Sequence, residues 1–103
     1  MWGKNINLDQ AYDWVEFTLS NGETNYDVKA NQSNLFSKVL LARSCVVWTT
    51  RNITLRFNST NFAAIKLDAG ESPAEFMNKI NISNIYLTNA SGSDSTVRIW
   101  LLH

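Results

Sequence analysis

Thr50-Arg51-Asn52-Ile53-Thr54-Leu55-Arg56-Phe57-Asn58 decides the fold. Ile53, Leu55 and Phe57 fall on one side of an extended chain, with Thr54, Arg56 and Asn58 on the other. That is the period-two pattern of a half-buried strand. Thr96-Val97-Arg98-Ile99-Trp100-Leu101 repeats it, with Val97, Ile99 and Leu101 as the apolar set.

Outward from these two segments, further strands alternate with polar turns. Ala11–Leu19 places Val15, Phe17 and Leu19 on one face and Tyr12, Trp14 and Glu16 on the other. Ser20-Asn21-Gly22-Glu23 is a turn, because Asn-Gly supplies the positive φ values of a tight hairpin. Tyr26–Ala30 is then the expected partner strand, making 11–30 a hairpin. Leu35–Ala42 is open to two readings: a helix capped by Ser33 or Asn34, or a buried extended run. A strand or short turn is preferred. Val46–Thr50 and Ile53–Phe57 follow, then a short strand at 64–67 and the turn Asp68–Pro73. Chain extension resumes at Glu75–Met77, Asn81–Thr88 is one strand with Ile85 and Leu87 inward and room for a bulge at Ser83-Asn84 that shifts Ile82, and Asn89–Ser95 is a hairpin loop. The segments 35–58 and 80–101 therefore read as strand pairs. About seven to nine short strands without long helices predict an all-β fold, an antiparallel β-sandwich or jelly roll. Residues 1–10 read as an arm or first edge strand, and 11–103 as a single domain.

The totals fit this picture and narrow the function. A chain of 103 residues is one domain at the usual ~100–200 residues each. Nine basic and nine acidic residues cancel without clustering. Nucleic-acid binding is disfavoured, because phosphate contacts require a basic patch. A polybasic membrane surface fails on the same ground, and no apolar run approaches the length of a membrane span. The opening residues show no apolar signal-peptide core. Cys45 has no cysteine to pair with, and its run Cys45-Val46-Val47-Trp48 marks it as a small buried hydrophobe.

Catalytic groups are not evident. The single histidine is the terminal His103, so no Ser-His-Asp set is expected. One histidine and one cysteine cannot make a zinc site, and the glycine and proline near Asp68 and Glu71 already account for that turn. The sequence predicts no catalytic residue, no metal and no cofactor. Five Asn-x-Ser/Thr triplets, at Asn31, Asn52, Asn58, Asn81 and Asn89, read as composition in the absence of a signal peptide.

The aromatic residues carry more information. Tyr12, Trp14 and Trp100 fall on the strand faces that alternation assigns to solvent, together with Arg56 and Arg98. A small domain rarely exposes several large aromatic rings. A second covering layer, a subunit interface and a sugar-stacking platform all account for the pattern. Interfaces are enriched in such residues, and Tyr12, Trp14, Arg56, Arg98 and Trp100 are the candidate interface set.

Residues 45–102 also resemble a known group. Asn52–Thr60, Ile65-Lys66-Leu67-Asp68-Ala69-Gly70-Glu71, Ile82–Gly92 and the closing Val97-Arg98-Ile99 are similar in phrasing to small virion proteins of tailed bacteriophages. Those proteins carry an Arg-Phe-Asn-Ser strand end, a Leu-x-Ala-Gly-Glu turn and an Ile-x-Asn-Ile-Tyr-Leu-Thr-Asn strand. The resemblance implies a non-enzymatic β-sandwich in the virion: capsid decoration, or a minor head, neck or tail component. Without a signal peptide, synthesis is expected in the host cytoplasm, and the expected partners are other virion proteins and copies of this chain, with a homotrimer as the first expectation. It assigns no functional residues. A carbohydrate-binding β-sandwich, with a glycan as partner, is the alternative.

Overall fold

A computed structural model of the protein describes residues 13–37 and 41–102. The expected N-terminal arm, Tyr12, Lys38–Leu40 of the ambiguous segment and His103 lie outside the described residues. Eight strands are present: β1 (Asp13–Leu19), β2 (Tyr26–Asp27), β3 (Ala42–Thr49), β4 (Ile53–Phe57), β5 (Ile65–Leu67), β6 (Ala74–Ile82), β7 (Ile85–Thr88) and β8 (Ser95–Leu102). One helical turn, α1 (Val28–Asn31), follows β2.

The strands form two antiparallel four-stranded sheets, ordered β1-β8-β3-β6 and β2-β7-β4-β5. The pairings explain this order. β1 pairs with β8, β2 with β7, β3 with β6 and β4 with β5. The chain is therefore one long antiparallel ribbon, folded back on itself in the loop between β4 and β5. Rolling the ribbon lays β8 also against β3 and β7 against β4. This is jelly-roll connectivity, and it bears out the all-β expectation.

The same rolling corrects the expected local pairings. Residues 11–30 are not a hairpin, since β1 and β2 lie in different sheets. After two residues of β2, the Asp27 side chain accepts from Ala30 N at 3.0 Å and turns the chain into α1. β3 and β4 are likewise split between the sheets, as are β7 and β8, so residues 50–52 and 89–94 are crossovers. Asn81–Thr88 is two strands rather than one. The chain breaks at Ser83-Asn84, where Asn58 Oδ1 accepts from Ser83 N at 2.7 Å and Asn84 N at 3.3 Å. Asn58 adopts φ +68, a left-handed conformation that asparagine tolerates better than most residues. Leu35 and Phe36, the start of the ambiguous segment, are buried in a turn, and Ala42 begins β3.

The inward sets pack as alternation requires. Ile53, Leu55 and Phe57 meet Val97, Ile99 and Leu101 in one cluster, with Leu19, Val28, Leu35, Val47, Leu67 and Leu87. A register shift between Ala42 and Ser44 lets Ala42 and Cys45, an odd number of residues apart, both face this core. Cys45 is fully buried, and desolvation pushes its thiol up to about 12 from 9.0. Asn89 is fully buried and satisfied. Its Nδ2 donates to Leu19 O and Ser93 O, both at 2.9 Å, while Oδ1 accepts from Ser91 Oγ at 2.7 Å. Two of the Asn-x-Ser/Thr asparagines, Asn58 and Asn89, thus hold loops together.

Candidate functional site

Apolar side chains fill the space between the sheets, so the surfaces that can meet a partner are the outer faces. On the first sheet, outward residues fall into cross-strand rows. Trp14 stands opposite Trp100, which stands opposite Val46. In the next row Glu16 faces Arg98, and Arg98 faces Trp48.

The Trp14 and Trp100 rings stack at 5.9 Å between centroids, inclined by 14°. Trp100 and Val46 form a second buried cluster, with Trp48 and Leu102 packed against it. Trp100 is only 4% exposed, whereas Trp14 is 55% exposed. Alternation assigned Trp100 to solvent. Its side chain does point away from the main core, but neighbours on the outer face cover it. Each row places another large ring or branched side chain beside it, and sequence period alone does not report that lateral neighbour.

The second row is electrostatic. Arg98 Nε donates to Glu16 Oε1, and the guanidinium carbon lies 4.6 Å from the centroid of the Trp48 ring. A cation over an indole face is attracted by the ring quadrupole. This contact seats Arg98 over one face of Trp48. Among the described rings on this side Trp14 is the most exposed, and it is bordered by a neutralised Arg98–Glu16 pair.

Arg56 belongs elsewhere. It projects from β4 on the second sheet, where Nη1 donates to Asn25 Oδ1 and Nε to Phe62 O, both at 2.9 Å. Arg56 therefore ties two loops to the sheet. The candidate set does not form one surface: Trp14, Arg98 and Trp100 share a face, Arg56 lies on the opposite sheet and Tyr12 is outside the described residues. Beyond Phe62, 54% exposed, the second sheet carries a polar groove between the β3–β4 crossover and the end of β5. Alternation marked Thr54 as outward, but the sequence held no sign that Asn52 and Asp68 would flank it.

Among the described residues, no group of three His, Cys, Asp or Glu side chains comes together to hold a metal, and no helix is long and apolar enough to cross a membrane. No protein family matches the sequence, and no curated protein matches it. The fold is similar to the solution structure of a de novo designed double-stranded β-helix. The identity is 18% over 84% of this chain and 94% of that one, with a TM-score of 0.52. At that identity the likeness establishes a rolled, double-stranded β architecture and nothing about activity.

Proposed function

We propose that this chain is a non-enzymatic structural module that packs against another protein surface through the outer face of its first sheet. Trp14 carries this reading: a large ring, more than half exposed, stacked on a buried ring and fixed on a strand. Tyrosine and tryptophan presented this way anchor interfaces, because burial of a rigid ring releases much water at little conformational cost. The Arg98–Glu16 pair beside it suits the polar rim of such a contact.

The phrasing of residues 45–102 supports a place in a tailed-phage virion, as a decoration, minor head or tail component made in the host cytoplasm. A homotrimer and contacts to other virion proteins are the expected assemblies. A sugar-stacking role for this face has less support. One side of Trp14 is taken by Trp100 and one side of Trp48 by Arg98.

The test is sedimentation of the full chain over a wide concentration range, beside Trp14→Ala. A stable oligomer lost in the variant is the expected result. A wild-type monomer at high concentration that also fails to bind particles would overturn the proposal. Quenching of tryptophan fluorescence by neutral glycans, abolished in Trp14→Ala, would replace it with the carbohydrate reading.

A further inference from the structure

The second sheet carries a groove of about 610 Å³, within the ~300–1,000 Å³ typical of small-molecule sites. Its floor is a cross-strand row in which Thr54 stands opposite both Thr88 and Lys66. Arg51 and Asn52 rise on one side, and Asp68 follows β5 on another. Among the described residues no aromatic ring lines it, so recognition rests on charge and hydrogen bonds.

The existing hydrogen bonds define what the groove has to offer. Asn52 Oδ1 accepts from Ala69 N at 2.9 Å, Thr88 Oγ1 from Asn25 N at 3.0 Å and Thr50 Oγ1 from Thr96 N at 2.9 Å. With those acceptor positions occupied, Asn52 presents its amide hydrogens and Thr88 its hydroxyl hydrogen, while the Thr50 hydroxyl also meets Ser95 Oγ at 3.4 Å. Lys66 and Arg51 add charged donors. Among the described residues neither has a carboxylate within ion-pair distance. A donor-rich surface with two free cations matches an anion rich in acceptors.

Asp68 refines that choice. Its side chain does not cap the turn that follows, leaving a carboxylate at the rim. It opposes a compact, highly charged anion such as phosphate, but it accepts hydrogen bonds from hydroxyl groups. Two cations and one carboxylate favour a ligand with a single negative charge and several hydroxyls. We propose that the groove binds an acidic saccharide. Arg51 and Lys66 hold its carboxylate, while Asp68, Asn52 and Thr88 meet its hydroxyls. The inference is independent of the tryptophan face on the other sheet.

Titration of the full, isotopically labelled chain with glucuronic acid, N-acetylneuraminic acid, glucose and inorganic phosphate tests it by NMR. Either acidic sugar is expected to shift the amides of residues 50–54 and 66–69, with glucose at least about tenfold weaker. Lys66→Gln and Arg51→Gln should each weaken the acidic sugar about tenfold, in line with the loss of a charge-assisted hydrogen bond. Asp68→Asn should raise the affinity for phosphate relative to the sugars, and Trp14→Ala should leave sugar binding unchanged. These side chains are exposed, and an unchanged amide spectrum away from the groove confirms that each variant folds. No shift with either acid at about 10 mM overturns the proposal. So does phosphate binding as tightly as the sugars, or indifference to both cation substitutions.

Discussion

The outer faces of the two sheets are built on opposite principles. The first carries a layer of rings and branched side chains: Trp14, Trp100, Trp48 and Val46, with Arg98 neutralised by Glu16 and seated on an indole. The second is polar, with Thr54, Thr88 and Lys66 on a groove floor and Arg56 tying loops down. Between them lies a common apolar core to which both sheets contribute. The difference teaches that a fold closed by its interior leaves each outer face free to take a separate character. One face suits burial against a large surface, and the other suits a small polar ligand.

Substitutions on the two faces should therefore behave differently. The largest effect is expected for Trp100→Ala, which removes a buried ring and should destabilise the fold by about 3–5 kcal/mol in urea unfolding. Its stacking partner sharpens the contrast. Trp14→Ala should cost only about 1 kcal/mol, near the value of a stacked pair beyond area burial. Equal losses in the two variants would mean that the face behaves as one buried layer rather than a covered ring beneath an exposed one.

On the second sheet, Arg56→Met breaks the hydrogen bonds to Asn25 and Phe62 and should cost about 1–2 kcal/mol, reduced by partial exposure. Amide exchange should quicken in residues 20–25 and 58–63 while the first sheet is unaffected. The smallest effect is expected for Glu16→Gln. The pair with Arg98 is more than a third exposed on both sides, so the loss should be about 0–1 kcal/mol and should shrink in salt.

The shared core has its own signature in pH. The Cys45 thiol, pushed up to about 12 by burial, stays protonated where an unfolded thiol near 9.0 ionises. Between those values the folded state binds more protons, so stability falls as pH rises from 9 towards 12. In Cys45→Ala that part of the slope should vanish. An unchanged slope measured by chemical denaturation would place its origin in other groups.

Which side chains enter the core was legible because strand geometry enforces it. Ile53, Leu55 and Phe57 alternate with polar residues, and burial follows the alternation. The Asn21-Gly22 turn was legible for a similarly local reason, since Gly22 takes φ +87, and the Asp68–Pro73 turn was legible from its glycine and proline. Strand partners were not. A polar break such as Asn89–Ser95 serves equally well to close a hairpin or to cross to the facing sheet. Nothing within the break chooses between them. The groove was equally hidden, because Asn52, Lys66 and Asp68 become neighbours only when β4 and β5 pair.

By itself, then, the sequence determined that this is a small all-β protein, and which face of each central strand turns inward. Both follow from the two-residue period of an extended chain and from turn chemistry, which act over a few residues. The tertiary structure alone decided that strands β1 to β8 roll as one folded ribbon, that Trp100 is covered while Trp14 is open, and that Arg56 and Arg98 stand on opposite sheets. Those outcomes depend on contacts between residues as far apart as Trp14 and Trp100. Such contacts arise from the packing of the whole ribbon and leave no local pattern to read.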